Sequence, residues 1–157
     1  MIDVRFPKIS ARNLEGRNVD VPGDLGRAAN LLVLAFSREH QRPIETWLPH
    51  LYAMEEDFPR LEIWRLVVLP RGYRLMRGAI ENGLRTGISD PGARRHTLVA
   101  FVDLDGLRRA LDLPDLSDAH LYLLNAEAIV RWEGAGGYGE GSLTSLKAAL
   151  MQVLGGA

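Results

Sequence analysis

Three short apolar runs alternate with helix-like segments, and this alternation constrains the fold more than any other feature of the chain. The runs are NLLVLAF at 30–36, LEIWRLVVL at 61–69 and HTLVAFV at 96–102. An apolar run of strand length marks a strand buried on both faces, as in a parallel sheet. Between the first two runs, Ile44, Trp47, Leu48, Leu51 and Met54 recur at three- and four-residue spacing. That spacing predicts an amphipathic helix over 40–57, kinked at Pro49. Leu75, Met76, Ala79, Ile80 and Leu84 predict a second helix over 73–86, ending near Gly87. Residues 89–92, SDPG, read as a loop, and 105–111 as a short helix with Leu107, Ala110 and Leu111 on one face.

Two further strands, 120–124 and 129–133, are close enough in sequence to pair antiparallel. Leu143, Leu146, Leu150 and Leu154 then place an amphipathic helix over 143–154, behind a glycine-rich loop. At the other end, alternating stretches around Glu15-Gly16 predict a hairpin over 8–22. Strands that alternate with helices predict an α/β fold. Its central mixed sheet has parallel core strands, an antiparallel C-terminal hairpin and an extra N-terminal β-hairpin. A length of 157 residues suits a single domain, 1–157.

The chain has no cysteine, which excludes disulfides, thiolate nucleophiles and cysteine-bound metals. A net charge of -1 gives no overall attraction to nucleic acid, and no nucleic-acid partner is expected. The opening MIDVRFPKIS lacks the apolar core of a signal peptide. No run of about 18 apolar residues appears, so no membrane insertion and a cytoplasmic location are expected. All but two of the 19 basic residues are arginine, the exceptions being Lys8 and Lys147.

The order of elements, with FP..SA..LEG in the leading hairpin, resembles the thioredoxin-like superfamily, in particular its peroxiredoxin (alkyl hydroperoxide reductase-like) branch. The likeness runs from about residue 6 to residue 154 and is strongest over 31–51, LLVLAFSREHQRPIETWLPHL. There an apolar strand ends at Phe36, and Gln41-Arg42-Pro43-Ile44 stands where the family carries Cys-x-x-Cys with proline third. Pro49 matches the later helix proline. The resemblance implies a three-layer thioredoxin-like fold with a degenerate redox motif at Gln41, Arg42, Pro43 and Ile44. Gln41 cannot ionise or attack a disulfide, and Ile44 cannot resolve a mixed one. The family's cis-proline place aligns with Ala119 or His120. A cis bond before a non-proline residue costs about 3 kcal/mol, so the substrate-facing cis peptide is expected to be lost as well. Loss of both features points to a scaffold put to another use.

Thr46-Trp47-Leu48-Pro49 and the N-terminal pattern are also similar to mitochondrial ATP-synthase assembly factors. That likeness implies a redox-inactive module that binds or chaperones a protein partner, without a cofactor, and leaves a homodimer open. The alternative is a non-thiol enzyme or small-anion binder that uses the former redox pocket. Its residues would be Arg38, His40, Gln41 and Arg42 at the helix start, with His120 beside them, because a helix N-terminus flanked by cations favours anions.

Other motifs carry less. Gly134-Ala135-Gly136-Gly137-Tyr138-Gly139 matches G-x-G-x-x-G, but too little chain follows for a βαβ unit. It reads as a mobile surface loop, with Ser142 as N-cap of the last helix. Arg71, Arg74 and Arg77 fall near one helix edge and could meet a phosphate or an acidic partner. His40, His50, His96 and His120 show no metal-binding spacing, and no metal site is expected. Asp103-Leu104-Asp105-Gly106 lacks the length of a calcium loop and reads as a turn with a capping aspartate.

Overall fold

The computed structural model describes residues 1–155. Seven strands form one mixed sheet: β1 (Ile9–Asn13), β2 (Asn18–Val21), β3 (Ala29–Ala35), β4 (Leu61–Pro70), β5 (Thr97–Val102), β6 (His120–Asn125) and β7 (Val130–Ala135). Their order is β2-β1-β5-β4-β3-β6-β7. β3, β4 and β5 are parallel, and the strands on either flank pair antiparallel. Five α-helices accompany the sheet among the described residues: α1 (Gln41–Asp57), α2 (Arg77–Gly87), α3 (Pro91–Arg95), α4 (Leu104–Ala110) and α5 (Glu140–Gly155).

β3 is buried at all of its positions because both faces of the sheet are covered. Successive side chains of a strand point to opposite faces. Leu31 and Val33 therefore pack with Ile44, Trp47, Leu51 and Met54 of α1 and with Leu146 and Leu150 of α5. Leu32 and Leu34 pack on the other side with Leu66, Leu98, Leu107, Leu111 and Tyr122. Among the described residues no helix is long and apolar enough to cross a membrane.

The leading hairpin turns at Gly16, whose φ of 85° favours glycine. The Asn13 carboxamide oxygen accepts from the N–H groups of Glu15 (2.9 Å) and Arg17 (3.0 Å) and closes the turn. Just ahead of it, Asp3 N–H donates to Val130 O (2.8 Å), Val130 N–H to Val4 O (2.9 Å) and Phe6 N–H to Ala128 O (2.9 Å). Residues 3–6 thus join the β6–β7 flank, while β1 pairs with β5 on the other side of β3.

Four sequence expectations need correction. The helix expected over 73–86 begins as a 3₁₀ turn, Arg71–Met76, and becomes α-helical only at Arg77. Three residues per turn break the 3.6 period, so Leu75 (98 % exposed) and Met76 face solvent. Ile80 and Leu84, in the α-helical part, pack toward Val99 and Phe101. Residues 89–92 are not simply a loop, because Asp90 and Pro91 start α3. The Asp90 carboxylate accepts from Ala93 N–H at 2.8 Å, and proline suits the first helical position. α5 begins at Glu140, which puts Ser142 inside the helix instead of at its cap. The glycine-rich loop is also pinned, as described below.

A buried carboxylate anchors α2. Glu81 is 2 % exposed and receives three arginines. Arg12 donates to it twice (3.1 and 2.9 Å), Arg77 at 3.1 Å and Arg85 at 3.4 Å. Burial raises the Glu81 carboxyl, but hydrogen bonds and charge from Arg12 and Arg77 outweigh it and hold the group below its ordinary value.

Candidate functional site

The end of β3 and the start of α1 hold the residues that the sequence singled out. A 3₁₀ turn, Arg38–His40, leads into α1. His40 N–H donates to Ser37 O and Gln41 N–H to Arg38 O. Gln41 therefore sits one turn inside the helical stretch, and its amide hydrogen is already used. Glu39, exposed at the first turn, is held below the usual carboxylate range by its own backbone N–H and then by the Ser37 hydroxyl.

The five candidate ligand residues separate into three settings. Arg38 and Arg42 are exposed. Gln41 turns toward β4, where its Oε1 accepts from Arg65 Nη2 at 2.9 Å. His40 is buried, and its Nδ1 accepts from Phe36 N–H at 2.9 Å, so the ring proton belongs on Nε2. His40 and His120 both lie edge-on to Phe36, with centroids 6.0 and 6.2 Å away, and His120 stacks beside Tyr122. Burial pushes His120 down from its ordinary value, more than Asp118 and Glu133 raise it. The structure thus brings His40 and His120 together around Phe36 and directs Gln41 elsewhere.

In the stretch Gln41-Arg42-Pro43-Ile44, Ile44 is buried in the core, and Pro43 is half-buried, its carbonyl accepting from the Thr46 hydroxyl at 2.6 Å. Ala119, which the sequence aligns with the family's cis-proline place, is fully buried, and its carbonyl accepts from Gly136 N–H at 2.9 Å. Among the described residues the cis peptide is Val21–Pro22, so the bonds around Ala119 are trans.

The glycine-rich loop lies against α1. Gly134 and Ala135 belong to β7. Gly136 O accepts from Trp47 Nε1 at 3.0 Å, and Tyr138 N–H donates to Thr46 Oγ1 at 2.9 Å. The Tyr138 ring stacks on His50 at 3.8 Å. A Cβ on Gly137 would lie 3.2 Å from Thr46 Oγ1, so glycine permits this close approach. The segment is a strap docked on α1, because its hydrogen bonds end on side chains about 90 residues away.

Sequence reasoning missed a cavity of about 470 Å³ beside α1, lined by Tyr52, Glu55, Arg65 and His96 among others. Burial raises the Glu55 carboxyl there. One signal was present: Arg65 is the lone cation inside the apolar run LEIWRLVVL.

Tyr122 gives a direct test of packing around the histidines. Its hydroxyl is buried and has no hydrogen-bond partner among the described residues. Burial, and then the charge of Glu133, raises its ionisation well above the ordinary tyrosine value, so it stays protonated. An unsatisfied buried hydroxyl costs about 1–3 kcal/mol. Tyr122→Phe is expected to raise stability by about 1 kcal/mol, read as a higher urea midpoint at unchanged m; a lower midpoint would show that the hydroxyl is satisfied.

No family model matches the chain. No curated protein matches it in sequence. Solved structures do match. A candidate electron transfer protein from Aquifex aeolicus VF5 aligns with a TM-score of 0.70 at 13% identity, covering 99% of both chains. The thioredoxin domain of a thiol-disulfide oxidoreductase from Bacteroides vulgatus aligns at 0.60 and 15% identity, covering 94% of this chain and 96% of that one. BsSco, a member of the Sco family of cytochrome c oxidase assembly proteins, aligns at 0.60 and 10% identity over 94% of each.

Proposed function

We propose that this chain, whose fold is thioredoxin-like, serves as a redox-inactive protein-binding or assembly module. One observation carries the reading. The stretch Gln41-Arg42-Pro43-Ile44 opens α1 directly after β3 and its 3₁₀ turn, in a chain with no cysteine, and Gln41 is engaged by Arg65. The place for sulfur chemistry survives as backbone but holds no nucleophile. The exposed Glu39 carboxylate beside this helix start also opposes the entry of a small anion. The exposed face of α1 instead offers Arg42, Glu45, Pro49 and Tyr52, the last 48 % exposed. Arginine and tyrosine are the residue types enriched in protein interfaces.

The purified protein is expected to show no turnover with insulin disulfides or peroxide plus a reductant; turnover above buffer overturns the redox-inactive reading. A photo-crosslinking residue at position 42 is expected to give one discrete adduct in cells, whereas the same residue at position 15, on the hairpin turn, gives none. No adduct at 42, or the same adduct at both positions, overturns the binding role.

A further inference from the structure

A second cleft lies between the leading hairpin and the 3₁₀ turn Arg71–Met76, lined by residues of neither the redox position nor the strap. Its volume is about 660 Å³, and Lys8, Arg12, Arg71, Arg74 and Arg77 line it. Asp103 is the one carboxylate among the lining residues. The 3₁₀ turn explains the row of arginines, because at three residues per turn positions 71 and 74 eclipse and Arg77 follows in line.

Two of these cations are held in place. Glu81 fixes Arg12 through Nε and Nη2 and Arg77 through Nη1. Arg77 also lies 4.7 Å over the Phe101 ring. With Arg85, three guanidinium groups share one carboxylate, so the cluster keeps a positive excess. Arg12 Nη1 and Arg77 Nε and Nη2 have no acceptor among the described residues. Lys8, Arg71 and Arg74 have no carboxylate partner among them either. Like charges on a concave wall concentrate anions, and the guanidinium fork matches phosphate oxygens.

We propose that this cleft binds a ligand carrying two or more phosphate groups. The volume exceeds one phosphate, and five cations spread over it call for clustered negative charge. The ligand is a soluble polyphosphate compound or the headgroup of a phosphorylated lipid. Tyr73, Leu75 and Met76, exposed on the same turn, would meet the bilayer in the second case.

Calorimetric titration of the full chain with inorganic tripolyphosphate tests the shared chemistry. Binding is expected at low salt and should weaken at physiological salt. Arg71→Gln with Arg74→Gln should weaken it about ten-fold or more, while Lys147→Gln on α5 leaves it unchanged. Circular dichroism melting checks that each variant folds. Vesicles containing a phosphatidylinositol bisphosphate, against plain phosphatidylcholine vesicles, separate the two sources. Co-sedimentation that Leu75→Ser with Met76→Ser abolishes, with tripolyphosphate binding intact, assigns the lipid. Tripolyphosphate binding without co-sedimentation assigns the soluble ligand. The proposal is overturned if wild type does not bind tripolyphosphate, or if the arginine variant binds as well as wild type.

Discussion

Replacing Trp47 with alanine is expected to lower folding stability by about 4 kcal/mol, the range for truncating a large buried aromatic. The indole is 1 % exposed, between α1 and the sheet. It meets Trp132 and Tyr138 edge-on, at 6.4 and 5.6 Å, and its N–H satisfies Gly136 O. Alanine leaves a cavity, two aromatic rings without their neighbour and an unpaired strap carbonyl. Trp47→Phe separates these effects. It keeps most of the ring volume and loses the donor, so it should cost less than half as much and raise amide exchange in residues 136–139. Urea unfolding with peptide-resolved hydrogen exchange reads both. If both variants lie within 0.5 kcal/mol of wild type, the strap does not depend on α1.

Glu81→Gln is expected to cost about 2–3 kcal/mol. Removing one member of a buried ion pair costs about 3–5 kcal/mol because the remaining charge is stranded. Here the three arginines are 26 to 34% exposed and can rehydrate, which reduces the loss. The pH dependence carries a sign. The Glu81 carboxyl sits below its ordinary value in the folded protein. Its stabilisation is therefore complete above the unfolded glutamate value of about 4.3 and is lost as pH falls through the folded value. Wild type should lose stability along that acid limb, and the variant should show a shallower one. Parallel limbs in urea midpoints measured from neutral pH into acid would rule out Glu81 as the linked group.

The parts legible in the sequence are those fixed by local pattern. The run at 30–36 carries the signature of a doubly covered strand, and β3 is buried throughout. The Ile44, Trp47, Leu51 and Met54 stripe reports α1 because all four face one core. The 71–76 turn was not legible, since a helical period cannot reveal a change from 3.6 to 3.0 residues per turn. Asp90-Pro91 serves equally as a turn or as a helix start, and only the accepted Ala93 N–H decides.

For the candidate site, the sequence names residues but does not show their wiring. The sequence singles out Gln41, but its partner Arg65 comes 24 residues later on another strand. His40 reads as a free imidazole in sequence. Its commitment to Phe36 N–H depends on the 3₁₀ turn that folds it back. The glycine run reads as loose because glycine has no side chain to announce a contact. Its anchors belong to Trp47, Thr46 and His50.

The pairing of residues 3–6 with residues 128–130 has a kinetic consequence. Arg5 and Glu127, bonded across this junction, are 122 positions apart. On a ribosome the earlier partner emerges long before the later one exists, so the sheet cannot be completed until β7 has been made. Contacts of such separation carry a loop-closure cost before any reward and slow the search. Nascent chains halted before residue 128 should therefore remain protease-sensitive.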